Sequence, residues 1–313
     1  MMNQSQATNR LKFHAERLGF MDCRVAKADF LEEQAPQLEA WLKHGYHASM
    51  RYMERHFDKR LDPRKLVPGA KSVISLAYNY HADQQASSDQ ERTPQVASYA
   101  MGEDYHRVVK DKLFELLDAL REELGDVQGR CFVDSAPVME RAWAERSGLG
   151  WIGKHGLALK KSEGSFFFLA ELIVDAEFVT DHPVADHCGD CTRCIDACPT
   201  DAILQPKLLD SERCISHMTI ELHGALPKAY QSQVGDWVFG CDVCQQVCPW
   251  NRHAKPHQEP RFEPGPWMAW SASDWHEVTE DVFKAVFQSS PISRTGWEGM
   301  KRNLAYAGFL KSQ

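Results

Sequence analysis

The chain has 313 residues, of which 43% are hydrophobic and 26% are charged, and this composition is ordinary for a globular protein of two or three domains. Its formal net charge of −8 argues against a general nucleic-acid-binding protein, because such proteins are usually basic. The longest apolar stretch, residues 166–174, is too short to span a bilayer, and residues 1–20 lack the apolar core of a signal peptide, so we expect a cytoplasmic protein without a membrane segment.

Sequence periodicity predicts that helices and strands alternate in the first half of the chain. The predicted helices cover residues 7–19, 30–43, 105–124 and 138–147, and the predicted strands cover residues 72–80, 96–101, 130–134, 157–161 and 165–174. Pro36 is a potential break in the second helix. The last two strands are expected to pair with each other as they return to the sheet. These elements predict an α/β domain that ends near residue 176.

Eight of the ten cysteines form two runs that each end in Cys-Pro. The runs are Cys188-x2-Cys191-x2-Cys194-x3-Cys198 and, after a separate Cys214, Cys241-x2-Cys244-x3-Cys248. This spacing is typical of bacterial two-cluster ferredoxins, in which the last cysteine of each run ligates the cluster of the other run. The predicted ligands are therefore Cys188, Cys191, Cys194 and Cys248 for one 4Fe–4S cluster and Cys198, Cys214, Cys241 and Cys244 for the second.

Two other uses of these cysteines fit the sequence less well. Structural zinc sites favour paired Cys-x2-Cys or Cys/His sets, and three closely spaced cysteines followed by Cys-Pro do not divide in that way. Disulfide frameworks are typical of short secreted chains rather than of a chain of this length. The remaining cysteines, Cys23 and Cys131, lie in apolar surroundings and are expected to be buried core thiols.

A second informative stretch covers residues 133–156. Four glycines that suit a backbone close to a flat or phosphate-bearing cofactor are Gly148, Gly150, Gly153 and Gly156. Asp134 stands where a predicted strand ends and a predicted helix begins, so either it or Ser135 is suited to cap that helix. No P-loop is present and no GxGxxG fingerprint follows the first strand, so a flavin, a corrinoid and a partner protein all remain open as the electron acceptor.

Both stretches belong to four sequence blocks that carry a resemblance to a known family. In chain order the blocks are VDSAPVMERAWAERSGLGWIGKHGLALKKSEGSFFFLAEL, CGDCTRCIDACPTDAI, RCISHMTIELHG and WVFGCDVCQQVCPWN. They resemble the epoxyqueuosine reductases, the cobalamin-dependent iron–sulfur enzymes of tRNA queuosine synthesis, over roughly residues 8–310. The resemblance implies two 4Fe–4S clusters and cobalamin as cofactors, tRNA that carries epoxyqueuosine at its wobble position as substrate, and an unidentified low-potential electron donor.

The resemblance also implies a fold and a division into domains. The expected class is α+β or α/β, with a cobalamin-binding sandwich domain over residues 1–176 like that of nitroreductases and reductive dehalogenases. A ferredoxin-like domain with both clusters is expected over residues 177–255, and a Pro-rich wrap with a short helical segment over residues 256–313. Many members continue beyond the motif SPISRTGWEGMKRNLAYA into a helical-repeat domain, so we expect a short form. The net charge and the absence of heptads favour a monomer.

The resemblance assigns the proton donor of the reaction to Asp134. Electrons that pass singly through the clusters are expected to give cob(I)alamin, which removes the epoxide oxygen as water, and a carboxylic acid kept neutral by burial would supply a proton. The expected cofactor contacts are Arg51, Tyr105, Asp134, Arg141, Ile152, Gly153, Lys154 and His155. Arg141 is equally suited to an ion pair with Glu145. His155 is expected to be a hydrogen-bonding residue rather than a cobalt ligand.

A locally basic rim is the expected contact for the anticodon loop, because RNA loops are held by basic and aromatic groups. The candidates are Arg55, Lys59, Arg60, Arg64, Lys65, Arg252, Lys301 and Arg302. Two alternative functions stay open, namely a corrinoid iron–sulfur reductase that acts on a small molecule and a non-catalytic, ferredoxin-type electron carrier. The first would more often carry an export signal, and the second leaves Asp134 and the four glycines without a role.

Overall fold

The structure is a computed structural model that describes residues 2–82, 92–161 and 163–310. Its helices are α1 (Gln4–Arg17), α2 (Gln34–Lys43), α3 (Phe57–Leu61), α4 (Tyr105–Leu124), α5 (Glu140–Ser147), α6 (Arg193–Asp196), α7 (Ile215–Ile220), α8 (Gln231–Val234), α9 (Val243–Gln246), α10 (Ala272–His276), α11 (Glu280–Phe287) and α12 (Gly296–Tyr306). Its strands are β1 (Asp22–Lys27), β2 (Ser72–Asn79), β3 (Gln95–Val96), β4 (Gly129–Phe132), β5 (Trp151–Ile152), β6 (Ala158–Leu159), β7 (Phe167–Val174), β8 (Ile203–Gln205), β9 (Leu208–Leu209) and β10 (Trp237–Phe239). None of the helices in these ranges is both long and apolar enough to cross a membrane.

Four strands form the central sheet of the N-terminal half, in the order β1–β2–β7–β4. Every neighbouring pair is antiparallel, and the longest pairing sets Ser72–Asn79 of β2 against Phe167–Val174 of β7. Nearly all side chains of these two strands are buried, as expected for strands that are covered on both faces. Because the sheet is antiparallel, the fold is the α+β alternative of the predicted class.

Helices cover both faces of this sheet. Helices α1 and α4 pack together on one face, where Leu113 and Leu116 are fully buried. Helix α4 has the bounds that the sequence predicts, because its apolar residues recur every three or four positions. Helix α5 covers the opposite face, where Trp143 is buried. Cys23 and Cys131 are buried free thiols, as predicted.

Several local predictions differ from the structure. Of the strand predicted over residues 96–101, only the first residue belongs to a strand, and Ser98–Ala100 forms a 3₁₀ turn. Strand β6 pairs with β5 in a separate ribbon instead of with β7. Strand β1 is not predicted, because charged residues interrupt its apolar positions. Pro36 lies in the first turn of α2 and does not break it, since an N–H at that position would have no partner within the helix.

The second half of the chain joins the first through paired strands and a shared core. Strand β3 pairs in parallel with β10, which directly precedes the second cysteine run. The C-terminal helices form a core in which Phe287 is buried with Val96 and Phe239. The Pro-rich residues 255–267 wrap the first half, because Phe262 packs in the core of the central sheet.

Candidate active site and metal centres

The eight cysteines of the two runs come together as two groups of four thiols. The proximal group is Cys188, Cys191, Cys194 and Cys248, and the distal group is Cys198, Cys214, Cys241 and Cys244. All eight are free thiols. In each group the last cysteine of one run joins three cysteines from the other half of the segment, as the crossed ferredoxin arrangement predicts.

Electrostatic coupling between the thiols defines these groups. Burial, together with the charges of the other three thiols of the proximal group, raises the pKa of Cys194 to about 11. Burial raises the pKa of Cys241 to about 12, with further contributions from Cys214 and Cys198 of the distal group. Within the described residues, no three His, Cys, Asp or Glu side chains converge tightly enough to hold a single metal ion. Four thiolates are the ligand set of a 4Fe–4S cluster.

The proximal group shares a cavity with residues 148–156, which we call the glycine loop. The cavity has a volume of about 290 Å³, and its walls include the four proximal thiols together with Lys154 and His155. Lys154 Nζ donates a hydrogen bond to the carbonyl oxygen of Gly189 at 2.6 Å, which ties the glycine loop to the first cysteine run. The proximal group is therefore the one that lies against the glycine loop.

His155 is a buried residue of the glycine loop. Its Nδ1 accepts a hydrogen bond from the backbone N–H of Leu157 at 3.1 Å, so the proton of the neutral ring resides on Nε2. Nε2 is buried and has no hydrogen-bond partner among the described residues. Burial and the nearby charge of Arg141 lower the pKa of His155 to about 4, so the ring is neutral at physiological pH. His155 therefore offers a neutral donor beside the cavity.

The glycines of the loop are required by contacts between chain segments. A Cβ atom at Gly148 would lie 1.9 Å from the carbonyl oxygen of His182, and one at Gly150 would lie 2.1 Å from the carbonyl oxygen of Leu159. Gly148 also has a φ of +78°, which side chains rarely adopt. Close packing thus explains at least these two glycines without reference to a cofactor.

Asp134 lies two residues beyond the end of β4, on the loop that leads to α5. Its φ is +46°, in the left-handed region that a non-glycine residue adopts only under constraint. The hydroxyl of Tyr105 donates to Asp134 Oδ2 at 2.5 Å, and Nε2 of His106 lies 3.8 Å from the same oxygen. The Asp134 side chain is 61% exposed, so the burial expected for the proton donor is absent in this conformation. Neither Asp134 nor Ser135 caps helix α5, whose N-cap is Met139.

Two further carboxyl groups lie behind this loop, and the sequence prediction missed both. Oε1 of Glu140 accepts a hydrogen bond from the backbone N–H of Asp134 at 2.5 Å. Glu171 of β7 is 0% exposed, and neither of its carboxyl oxygens has a hydrogen-bond partner among the described residues. Burial, followed by the charge of Asp134, raises the pKa of Glu140 to about 8, and burial raises that of Glu171 well above its usual range. The signal in the sequence is Glu171 itself, a single acid within the apolar run of residues 166–174.

The other predicted cofactor contacts lie in different surroundings. Arg141 does not pair with Glu145, because its Nη1 donates to the carbonyl oxygen of Gly156 at 2.6 Å. Arg141 therefore fastens α5 to the glycine loop. Ile152 lies in β5 and is partly buried, whereas Arg51 is exposed at the start of a 3₁₀ turn.

The basic candidates for RNA contact divide into internal and exposed side chains. Arg60 is buried and donates to the carbonyl oxygens of Tyr52 and Arg55, so its guanidinium serves the protein interior. Arg302 likewise donates to backbone carbonyls of the 218–224 segment. Arg64 and Lys65 pair with nearby aspartates, whereas Arg55 and Arg252 are exposed.

An exposed aromatic residue that the sequence prediction did not identify lies near the loop of Asp134. Tyr52 is 44% exposed, and its electrostatic neighbours include Arg294 and Asp134.

Two family models match the chain. Residues 60–135 match "Epoxyqueuosine reductase QueG, DUF1730", and residues 187–251 match "4Fe-4S double cluster binding domain". The second match covers all eight of these cysteines, including Cys214, so the cysteine segment is a double 4Fe–4S cluster domain.

Relatives of known sequence or structure match nearly the whole chain. An epoxyqueuosine reductase from Cellulophaga algicola is 54% identical over 98% of this chain and 99% of its own length. A solved epoxyqueuosine reductase with an epoxyqueuosine-modified tRNA-Tyr stem loop is 32% identical with a TM-score of 0.91, over 97% of this chain and 81% of that one. The Bacillus subtilis enzyme, solved with its aspartate-bearing catalytic loop swung out of the active site, is 31% identical with a TM-score of 0.90, over 97% and 82%. The reductive dehalogenase NpRdhA is 14% identical with a TM-score of 0.52, over 83% of this chain and 33% of that one, so the similarity shows a shared fold alone.

Proposed function

We propose that this chain, which belongs to the epoxyqueuosine reductase family, reduces the epoxide of epoxyqueuosine at the wobble position of tRNA to the alkene of queuosine. As a member of that family the chain is an oxidoreductase. The observation that carries the proposal is that the four proximal thiols line the same cavity as Lys154 and His155 of the glycine loop. An electron carrier fused to an α+β domain and lying against its glycine loop is arranged to deliver electrons within the same chain.

The proximal thiols would hold the cluster next to the cofactor, and the distal thiols would hold the cluster that takes electrons singly from an external donor. This order follows from distance, since the proximal thiols are the ones that share the cavity with the glycine loop. His155 would donate a hydrogen bond from Nε2–H to the proximal cluster, because that nitrogen is a buried donor without a partner among the described residues. Hydrogen bonds to cluster sulfurs raise the reduction potential of a cluster.

Cobalamin is the cofactor that receives the electrons, and the shared fold with reductive dehalogenases supports a corrinoid. When bound, it supplies a strongly reducing metal centre. The residues that fit such a group surround the glycine loop and the loop of Asp134, where the unpartnered His155 nitrogen and the exposed Asp134 carboxyl both lie. The proposed contacts are Arg51, Tyr105, Asp134, Arg141, Ile152, Gly153, Lys154 and His155. Arg141 acts indirectly, by holding the carbonyl of Gly156.

Asp134 donates a proton to the epoxide oxygen as the ring opens. The hydroxyl of Tyr105 and the ring of His106 orient its carboxyl, since both lie within 3.8 Å of Oδ2. The strained φ of Asp134 supports a loop with a second conformation, and the Bacillus subtilis relative has been solved with its aspartate-bearing catalytic loop swung out. Closure of this loop over substrate would bring the carboxyl to the epoxide and exclude water from the site.

The tRNA is held at the mouth of this site by exposed aromatic and basic groups. Tyr52 offers a ring on which an anticodon base can stack, and Arg51, Arg55 and Arg252 are exposed cations for the phosphates. The relative that was solved with a tRNA stem loop supports tRNA as the substrate.

The function is tested in bacterial cells that lack their own epoxyqueuosine reductase and express this chain, with and without a supply of cobalamin. We expect total tRNA to contain queuosine only in the supplied cells and epoxyqueuosine in the others. Persistence of epoxyqueuosine in supplied cells that contain the folded, cluster-loaded protein would contradict the proposal and would favour a small-molecule substrate. Queuosine without cobalamin would contradict the cofactor assignment alone.

A further inference from the structure

The stoichiometry of epoxide removal requires two protons. Both C–O bonds of the ring break, a C=C bond forms, and the oxygen leaves as water, so two electrons and two protons enter in each turnover. One carboxylic acid carries one proton, and Asp134 is the only one for which the proposed function has a use. The second proton, and the reloading of Asp134, require a further source close to the loop.

Glu171 is a buried acid in the right place for that role. It lies on the face of the central sheet that α5 covers, directly between Ser75 of β2 and Phe132 of β4 in the strand register. Both of its carboxyl oxygens and the hydroxyl of Ser75 are buried without a hydrogen-bond partner among the described residues. An ionised carboxylate in such surroundings is strongly disfavoured, so Glu171 holds its proton. The raised pKa of Glu171 agrees with this.

Glu140 connects this buried acid to the loop of Asp134. After burial, the charge of Glu140 is the largest influence on the pKa of Glu171, and the two carboxyls lie close enough to share a hydrogen bond when one of them is protonated. On its other side Glu140 accepts the backbone N–H of Asp134. The three acids therefore form a row that leads from the interior of the sheet to the exposed loop.

We propose that Glu140 and Glu171 share one proton and pass it to Asp134 during each turnover, so that the row Glu171–Glu140–Asp134 is the internal proton supply of the reductase. The shared proton reaches Glu140 from Glu171 and then moves to the Asp134 carboxylate that ring opening leaves, so both glutamates are ionised until the pair is reloaded. Solvent reloads the pair after water and the modified tRNA have left. This inference rests on the proposed function, and it adds two positioning and proton-supplying residues to it.

The charged groups that face the pair are consistent with a shared proton. Asp134 raises the pKa of both glutamates, whereas Arg141 at the start of α5 lowers that of Glu140. Tyr105 of α4 faces Glu140 from the other side of the loop. Arg141 is the one positive group that lowers the pKa of Glu140, and two ionised glutamates would repel each other. At rest the pair therefore carries one negative charge rather than two.

A competing route for the second proton exists at the surface. Nδ1 of His106 lies 2.7 Å from Asp104 Oδ1, and its Nε2 lies 3.8 Å from Asp134 Oδ2. The His106 side chain is 28% exposed, so this route would connect Asp134 to solvent directly. The two routes are distinguished by substituting one at a time.

The test compares wild-type holoenzyme with Glu171→Gln, Glu140→Gln and His106→Gln. Glu115→Gln is the matched control, because Glu115 is exposed on α4, which covers the opposite face of the sheet. The first readout is independent of turnover: the infrared band of protonated carboxyl groups is followed by titration from about pH 6 to about pH 9. We expect Glu171→Gln to remove a band that the wild type and Glu115→Gln both contain.

The second readout is the rate of epoxyqueuosine reduction as a function of pH. We expect Glu171→Gln and Glu140→Gln to lower kcat by about tenfold or more, to leave KM unchanged, and to move the alkaline limb of the profile. If one glutamate variant loses its clusters, its rate is not interpreted, and the comparison is made with the other glutamate variant.

Two results would overturn the inference. One is an unchanged infrared titration in Glu171→Gln, which would show that this residue holds no proton in the native protein. The other is wild-type kcat in both glutamate variants with a slow His106→Gln, which would assign the second proton to the surface route. An inactive wild type would count against the proposed function, while the infrared titration would still decide whether the buried pair shares a proton.

Discussion

At the scale of single residues, the site is organised around Asp134, an exposed carboxyl on a constrained backbone. The hydroxyl of Tyr105 donates a hydrogen bond to Oδ2 of this carboxyl, the ring of His106 lies near the same oxygen, and Glu140 accepts a hydrogen bond from the backbone N–H of Asp134. The sequence identifies Asp134 by its place after a strand and by resemblance. It does not reveal the partners, because Tyr105 and Glu140 reach the loop only after α4 and α5 have packed on opposite faces of the sheet.

Asp134→Asn is the most specific substitution for the proposed chemistry. Asparagine keeps the size of the side chain but has no acidic proton, so we expect kcat to fall by about a hundredfold or more. Cluster content and cobalamin binding should remain at wild-type levels, as measured by iron analysis and by the absorbance of the bound corrinoid. Full activity of this variant would exclude Asp134 as the proton donor.

The raised pKa of Glu140 predicts how stability depends on pH. Protonated Glu140 contributes stability that is complete below its ordinary pKa of 4.5 and is lost as the pH rises toward about 8. Glutamine does not titrate, so we expect the thermal midpoint of Glu140→Gln to rise relative to wild type between about pH 5 and about pH 8. Calorimetry of both proteins at the two pH values measures this difference, and a constant offset would contradict a protonated Glu140.

At the scale of elements, the helices and strands with a strong hydrophobic pattern were predictable from the sequence. Helix α4 has the predicted bounds, and strands β2 and β7 match the predictions within two residues, because each is a long run with one clear pattern. Strand β1 and the pairing of β6 were not predictable, because charged residues and short length leave no pattern to recognise. The glycine loop was recognised as special, but the reason for Gly148 and Gly150 is packing against distant backbone, which a single sequence does not reveal.

Gly148→Ala tests this account of the glycine loop. The added Cβ would collide with the carbonyl oxygen of His182, and alanine would also be strained by the positive φ of this position. We therefore expect a marked loss of thermal stability. Gly69→Ala is the matched control, because Gly69 has a similar φ of +82° and no atom within 4 Å of the added Cβ. The control should lose only about 1 kcal/mol. Equal thermal midpoints for the two variants would contradict the close packing of the glycine loop.

At the scale of the whole molecule, the crossed arrangement means that each cluster takes its ligands from both ends of the cysteine segment. The spacing alone predicts the crossing, and the structure brings the thiols together in those groups. The cavity at the proximal thiols was less predictable, because its walls come from the glycine loop, the first cysteine run and residues 248–253, which lie far apart in the sequence.

Two double substitutions test the crossing. Cys194→Ala with Cys248→Ala removes two ligands of the proximal cluster, so we expect about half of the iron to remain after anaerobic reconstitution. Cys194→Ala with Cys198→Ala removes one ligand from each cluster, so both clusters should be damaged and more iron lost. Iron analysis and electron paramagnetic resonance of the reduced proteins measure the outcome. The reverse order of iron loss would contradict the crossed arrangement.

Anaerobic turnover of tRNA that carries epoxyqueuosine tests the proposed reaction most directly. The assay uses purified protein with both clusters and a low-potential electron donor, with cobalamin either present or absent. The nucleosides are then identified by mass. We expect loss of one oxygen from the modified nucleoside only when cobalamin is present. Unchanged epoxyqueuosine in a preparation that holds both clusters and bound cobalamin would contradict the proposed reaction.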